Sequence, residues 1–421
     1  MDYDALIVGS RVAGASLALL LGERGHRVLM VDCDAFPSDT LSTHFMARNG
    51  VVALERLGVL ADVEAAGFRR ITRARTWVED LLFEGPAGPE GAYSLAPRRD
   101  VLDSTLIRHA IEHGGVEFQE QTHVEGLIEE HGRVVGATLR SSGGAPRRVR
   151  AQWIVGADGK YSKVAEWVNE ERYEVLPAQR PGYYGHFHGF TPLSEAAVEL
   201  LFAQNQVGFV FPMRPDEDCL ALEVQPEDYE AFRANPRAEF ERRFRALPGM
   251  ADRLQGAQLE GKLYGTRGIE NALRKPYGPG WALAGDAGYL RDPITGTGIA
   301  DALTQSFLLA DALDSALRGD DWEASMREFQ RKRDAAMLPG YRWTIASLQQ
   351  RDAPPESLAW LRGALANAHL ARQVMYWLPA ALSAGDLPPQ LQPIMRTMAA
   401  FFGAEDAEAQ RQPQPMAAPA C

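Results

Sequence analysis

The sequence predicts an α/β protein: a parallel-sheet nucleotide-binding unit, a mainly antiparallel β-sheet domain inserted into it, and a helical C-terminal region. Three observations predict this. The first forty residues hold a short apolar run, a helix-favouring stretch and a second apolar run that ends on an acid. Residues 183–224 change to aromatic, alternating runs (YYGHFHGF, VGFVFPM, CLALEV) that fit strands of an antiparallel sheet. Residues 320–402 favour helix, broken by Pro339, Pro354-Pro355 and Pro388-Pro389.

The elements follow in order. Residues 3–9 (YDALIVG) read as a buried strand closed by Gly9, Ala13–Arg24 as a helix rich in Ala and Leu that stops at Gly25, and 27–32 (RVLMVD) as a second strand. Together they make a βαβ unit. A helical pattern runs over 48–66 on Val52, Leu54, Leu57 and Leu60. An amphipathic helix over 101–114 closes at Gly114-Gly115, and strands are expected at 116–119, 123–129, 133–139 and 148–155. Residues 281–286 (WALAGD) form a further short strand and 296–315 a long helix. The expected division is 1–72, 97–172 and 270–330 for the nucleotide unit, 73–96 and 173–269 for the inserted substrate-binding sheet, 331–403 for the helical region, and a disordered tail over 404–421.

Composition narrows the function. The 421 residues are 46% hydrophobic and 24% charged, with a net charge of −12 and no block of five like charges. A nucleic-acid partner would need a basic patch that this pattern lacks. The cysteines, Cys33, Cys219 and Cys421, form no C-x-x-C pair, so neither a metal site nor a disulfide framework is expected. The start lacks a signal-peptide pattern and no apolar run reaches the ~20 residues of a membrane span, so a cytoplasmic protein without an integral membrane segment is expected.

The first βα turn reads Gly9-Ser10-Arg11-Val12-Ala13-Gly14. It departs from G-x-G-x-x-G only at Arg11. Gly9 permits the tight turn, Gly14 permits close helix–strand packing, and the helix start, Val12-Ala13, offers free N–H groups to a pyrophosphate. Arg11 gives up close backbone approach and adds a guanidinium within reach of phosphate. Asp32, at the end of the second strand, stands where a carboxylate accepts ribose hydroxyls.

Two later segments complete a set: Gly156-Ala157-Asp158-Gly159, and Gly285-Asp286-Ala287-Gly288 followed by Pro293, Gly296, Thr297, Gly298 and Ile299. In this order they resemble the FAD-dependent monooxygenases of the aromatic hydroxylase (para-hydroxybenzoate hydroxylase-like) superfamily, and the related geranylgeranyl reductases and flavin halogenases. The resemblance covers roughly residues 3–315. It implies a Rossmann-like FAD-binding domain of the GR2 type, with FAD as cofactor and NADH or NADPH as reductant. It also assigns residues. Asp286 is expected at the ribityl chain, Pro293 beside the isoalloxazine, and Gly296–Ile299 as a helix start that stabilises charge on reduced flavin. Asp158 matches a motif near the flavin, with a strand-end turn that merely holds the fold as the alternative. Arg99, in Arg99-x-x-Leu102-Asp103, is expected against FAD, with Arg98 as the competing register. The loop from Asp39 to Arg48 lies along FAD in the family; Arg48 is expected on the pyrophosphate side, and His44 toward the substrate.

The chain also departs from the pattern. Gln305-Ser306 stands where many relatives carry Asp-Ala, with Asp301-Ala302 one turn earlier, and no second Rossmann fingerprint exists for a pyridine nucleotide. That absence fits hydroxylases, and also a protein reduced by a separate flavin reductase. None of the five lysines falls where a halogenase's tunnel lysine is expected, and Phe209-Val210-Phe211-Pro212 replaces its G-W-x-W-x-I-P segment. The loop 39–50 lacks the cysteine favoured by geranylgeranyl reductases, although the same Phe-Val-Phe-Pro stretch partly resembles theirs. The expected reaction is therefore monooxygenation: reduced FAD and O2 give a C4a-hydroperoxide whose distal oxygen passes to an aromatic or other electron-rich hydrophobic small molecule. An alkene reductase, and a two-component flavoenzyme or non-catalytic flavin carrier, stand as alternatives. Alternation over 183–190 puts Tyr184, His186 and His188 on one face, Tyr183 and Phe187 on the other. Either the polar face looks down on the flavin, making His186 or Tyr184 the group that binds or deprotonates substrate, or it meets solvent while the aromatic face lines the pocket. The second arrangement is the one the sequence favours. Phe209, Phe211 and Tyr264 are candidate lining residues.

Overall fold

Ala5, Leu6 and Ile7 are wholly buried on both faces of strand β1 (Tyr3–Val8), as the centre of a parallel sheet covered on both sides requires. The computed structural model describes residues 1–42, 44–168, 171–349 and 355–367. From β1 the chain passes through α1 (Val12–Glu23) to β2 (Val28–Val31), which pairs in parallel with β1. The helical pattern of 48–66 forms two helices, α2 (Arg48–Arg56) and α3 (Leu60–Ala65), because Gly58 takes a φ of +71° between them. Strands β3 (Arg73–Val78) and β4 (Leu81–Pro86) leave for a second sheet. The chain returns through α4 (Arg99–Glu112), β5 (Glu117–Gln119), β6 (Thr122–Glu130), β7 (Arg133–Ser141), β8 (Arg147–Gly156) and α5 (Lys163–Trp167).

After β9 (Arg172–Leu176) come β10 (Gly182–His188), β11 (Ala197–Ala203), β12 (Gln206–Arg214) and β13 (Glu217–Glu223). Helices α6 (Tyr229–Ala234), α7 (Pro236–Ala246) and α8 (Met250–Arg253) precede β14 (Gln258–Thr266). The chain then re-enters the first unit through β15 (Asn271–Arg274), β16 (Tyr277–Gly278), β17 (Trp281–Leu283) and β18 (Tyr289–Leu290). It continues as α9 (Gly298–Leu317), α10 (Trp322–Gln349) and α11 (Pro355–Ala366).

Among the described residues the strands form three sheets. The first has the order β16-β17-β8-β1-β2-β5, with β7 and β6 added beside β8; β17, β8, β1, β2 and β5 run parallel. The second has the order β14-β10-β13-β12-β11-β3-β4 and is antiparallel except where β11 meets β3. The third, β18-β15-β9, takes β9 away from the inserted sheet to which residue 173 onward was expected to belong.

Both faces of the second sheet are covered. Tyr183, Phe187, Leu220 and Leu222 pack on Phe232, Phe240 and Phe244 of α6 and α7. The opposite face, with Tyr184, Phe209, Phe211, Cys219 and Ala221, joins the core shared with α1, α2 and α9. The sequence favoured the reverse arrangement. It erred because Phe187 has a partner the strand itself does not reveal: Phe240, stacked at 5.7 Å. His188 alone of the polar face is exposed, beyond the covered part.

Two further boundaries differ. The strand expected over 281–286 ends at Leu283, because Gly285 takes a φ of +59° and starts a 3-10 turn over Gly285–Ala287. Pro339 lies inside α10 without ending it. Arg333 is wholly buried there and donates to the carbonyls of Arg274 (3.0 Å) and Gly288 (3.3 Å), and Met337 and Tyr341 are buried beside it. This packing outweighs the roughly 3 kcal/mol that an interior proline costs. No helix of the described residues is long and apolar enough to cross a membrane. The helical reading of 368–402 and the disordered tail lie outside the described residues.

Candidate functional site

The turn after β1 is built for close approach. Gly9 has a φ of +99°, and a Cβ there would lie 2.4 Å from the carbonyl oxygen of Ala157, while one on Gly14 would lie 1.8 Å from the carbonyl oxygen of Gly9. No side chain caps α1, so the N–H groups at Val12 and Ala13 face outward with the helix dipole behind them. Asp32 is fixed at the end of β2, accepting from the backbone (2.7 Å) and hydroxyl (2.9 Å) of Ser10 and from the backbone of Asp34 (2.9 Å).

Arg11 does not extend toward this opening. Its guanidinium donates to Asp103 (2.9 Å), Asp34 (2.9 Å) and the Ser38 hydroxyl (3.1 Å), and to the carbonyls of Ser38 and Asp39. Arg99 holds the other oxygen of Asp103 at 3.1 Å. Asp103 is wholly buried, and burial keeps its carboxyl above the usual range despite the two guanidiniums. Arg98 instead pairs with Glu217 and Glu260, so the two arginine registers separate cleanly.

On the other side of α1, a Cβ on Gly285 would lie 2.8 Å from that of Ala13. This packing sets Asp286 beside the start of α1, accessible at its surface, yet with enough protein around it that burial raises its carboxyl pKa while Arg99, Lys160 and Arg291 oppose the rise. Ser306 ties α9 to α1 by donating to the Ala13 carbonyl at 3.0 Å. Buried Arg291 pairs with Asp301 at 2.5 Å, and the Thr297 hydroxyl donates to the same carboxylate at 3.1 Å. Gly296 is left-handed, with φ +65°, and a Cβ there would lie 2.9 Å from the ring of Phe45. No side chain caps α9 at Thr297.

Phe45 continues into the second sheet. Its ring stacks on Phe211 at 5.2 Å, and Phe211 on Phe209 at 5.8 Å. Beside this row, His44 takes a φ of +64° and is wholly buried, its Nε2 2.8 Å from Nε2 of His186. Burial lowers the pKa of both imidazoles; each then lowers further, His44 by His186, Arg99 and Arg98, and His186 by Arg98. Both are neutral at neutral pH, one donating and the other accepting. The Tyr184 hydroxyl accepts from the Ser42 backbone (3.2 Å) and donates to the Thr40 carbonyl (3.2 Å), and its ring stacks on Tyr264 at 5.1 Å. Burial drives its phenol pKa up. Tyr184 thus fastens the loop after β2 to the sheet.

A glycine-lined turn, an uncapped helix start and a strand-end carboxylate are what a dinucleotide's phosphates and ribose require. The family model described as FAD binding domain matches residues 2–338. The chain belongs to this FAD-binding family. A curated relative, 1H-pyrrole-2-carbonyl-[peptidyl-carrier protein] brominase of Pseudoalteromonas luteoviolacea, is 27% identical over 76% of this chain and 80% of its own length. The 6-methylpretetramide 4-monooxygenase of Streptomyces rimosus is 27% identical over 76% and 77%. The solved structure of a flavin-dependent brominase superposes with a TM-score of 0.81 at 22% identity, over 97% of this chain and all of that one, a likeness of fold. The matches thus include halogenases and monooxygenases, and digeranylgeranylglycerophospholipid reductases as well, the groups that the motifs resemble.

The fold gathers Gly9, Val12, Ala13, Gly14, Asp32, Arg99, Gly285 and Asp286 around the N-terminal end of α1. Arg48, exposed at the start of α2, makes no ion pair among the described residues and is free for an anion. Asp158 holds the start of α5: its oxygens accept from the Ser162 hydroxyl (2.6 Å) and from the backbones of Lys163 (2.7 Å) and Val164 (3.2 Å). Gly296 adjoins Phe45, with Pro293 in the turn before it and Thr297, Gly298 and Ile299 at the opening of α9. The sequence reading missed Phe45 and a buried carboxyl pair, Glu223 with Asp292. Phe45 had a signal, its place beside His44 in the flavin loop. The carboxyl pair had none, since its members lie far apart in the chain.

Proposed function

We propose that the chain is an FAD-dependent monooxygenase acting on an electron-rich aromatic or hydrophobic small molecule, with NADH or NADPH as reductant. The observation that carries this reading is the buried His44–His186 pair, formed where the flavin loop meets the substrate sheet beside the row Phe45, Phe211 and Phe209. FAD, when bound, supplies the activation of O2 and the transfer of one oxygen atom.

The protein's own residues supply the rest. First-turn N–H groups of α1, with Arg48, would hold the pyrophosphate, and Asp32 and Asp286 would bind the ribose and ribityl hydroxyls. The start of α9 would stabilise negative charge on bound FAD. The aromatic row excludes water from the reacting atoms. His186, and through it His44, takes the proton of a phenol as the ring becomes more nucleophilic, a role suited to imidazoles kept neutral by burial. Tyr184 holds the loop that carries His44 rather than meeting substrate itself.

A second reading, halogenation fed by a separate flavin reductase, is favoured by the relationship to a brominase. Against it stands the pocket face, which carries no lysine: Lys163, Lys262, Lys275 and Lys332 are exposed, and Lys160 sits beside Asp286. The test is turnover of phenols and indoles by the FAD-loaded protein with NADH or NADPH, with and without an added flavin reductase, in bromide-containing buffer under isotopically labelled O2. The expected product gains one labelled oxygen whether or not bromide is present. A brominated product without labelled oxygen overturns this reading for halogenation, and alkene reduction without O2 uptake overturns it for a reductase.

A further inference from the structure

The inner face of β13 carries Cys219, Ala221 and Glu223, while Leu220 and Leu222 face α6 and α7. Cys219 lies opposite His186 and Phe211, Ala221 opposite Tyr184 and Phe209, and Glu223 opposite Gly182 and Val207. Four residues of strand separate Glu223 from the histidine level, about 13 Å. The aromatic floor is therefore bracketed by neutral imidazoles at one end and by Glu223 at the other.

Glu223 is 5% exposed, and its carboxyl lies beside that of Asp292, the residue before Pro293. Burial raises the pKa of both carboxyls, and Arg180 beside them opposes the rise. Asp292 is oriented by the backbone of Ile294, which donates to its Oδ1 at 3.1 Å, and by Asn271, whose Oδ1 accepts from the Asp292 backbone at 2.8 Å. Oε2 of Glu223 is buried, and no N–H or O–H group of the described residues donates to it. A buried acceptor left unmade costs about 1–3 kcal/mol, so a molecule that brings a donor to it is favoured over one that does not.

We propose that Glu223 Oε2 accepts a hydrogen bond from an N–H or O–H group of the aromatic substrate and so selects molecules bearing that donor, with Asp292 as the positioning residue. The inference rests on the reading that the aromatic floor holds substrate. It does not depend on what the flavin then does.

The experiment measures binding to the oxidised, FAD-loaded protein by flavin difference absorbance, using indole against 1-methylindole and phenol against anisole. In the wild type the donor-bearing member of each pair binds at least roughly tenfold tighter, a modest share of what one unmade buried bond costs. Glu223→Met brings the ratio to about one while retaining FAD, and Glu223→Gln, which keeps an acceptor, restores part of it. Equal binding of the methylated and parent compounds in the wild type, detectable binding by neither member, or a ratio untouched by Glu223→Met overturns the proposal. Because no turnover is required, a failure of oxygen transfer leaves this result standing, and a ratio of one leaves oxygen transfer standing.

Discussion

At the scale of the residue, Arg11 shows how a substitution in a motif changes a side chain's task. The middle position of the phosphate turn leaves room for a guanidinium near phosphate, but here that group is held by Asp103, Asp34 and the 38–39 backbone. Arg11→Ala leaves wholly buried Asp103 with Arg99 as its remaining cation, and the expected cost is on the order of 2 kcal/mol, below the range for an entirely orphaned buried charge. Arg11→Lys recovers little, since an ammonium cannot reproduce the fork. Denaturation of the apo and FAD-loaded proteins checks this: both fall alike if Arg11 acts within the protein, whereas a loss confined to the loaded form means that it reaches phosphate. Gly296 makes a second case. Gly296→Ala strains a left-handed residue by roughly 1 kcal/mol and drives a methyl into Phe45, so FAD affinity should weaken about tenfold. Adding Phe45→Ala should return part of that affinity, and no return in the double variant places the defect elsewhere than at this contact.

At the scale of the element, Asp158 ties a motif to a helix. Its two oxygens accept at the start of α5, beside the Ser162 hydroxyl that caps the same helix by accepting from Ala165 at 3.0 Å. Asp158→Ala is expected to cost about 1 kcal/mol, as other lost caps do, with FAD affinity changed less than stability. An affinity loss without a stability loss assigns Asp158 to the flavin instead. The contrast shows what a sequence exposes. The βαβ start, the glycines and the α9 opening were legible because each depends on local geometry: Gly9 needs its φ, Gly14 its missing Cβ, and the strand its continuous apolar run. What escaped was set by partners distant in the chain. Which face of β10 turns inward depends on α6 and α7, and the survival of Pro339 depends on Arg333 reaching carbonyls of β15 and Gly288. The Glu223–Asp292 pair belongs to the same class: two ordinary acids in sequence become buried neighbours only after the sheet meets the flavin loop.

At the scale of the whole molecule, the two polar ends of the pocket impose opposite pH dependences on stability. His44 and His186 titrate lower in the fold than in the unfolded chain, so the unfolded state takes up protons first and stability falls as pH drops below the usual imidazole value near 6.5. The carboxyl pair works the other way. Burial raises Asp292 to about 7 and lifts Glu223 well above its usual range, while Arg180, and for Asp292 also Arg291, oppose the rise. The folded state therefore holds a proton that the unfolded state releases from about pH 4 upward, and the pair's stabilising contribution is lost as pH climbs through 7. Asp292→Asn removes one titration and offers Glu223 an amide donor in the same shape. Relative to wild type, this variant should be less stable at pH 5 and should close or reverse the gap by pH 8, a swing on the order of a few kcal/mol. His44→Gln should show the opposite trend, its deficit at pH 8 shrinking as pH falls to 5. Urea denaturation at the two pH values separates the effects, because each variant removes one slope and leaves the other. Parallel wild-type and Asp292→Asn stability across that range would mean that the carboxyls hold no such proton in the folded protein. The bracket of the pocket by a neutral base and a proton-holding acid would then lose its acid end.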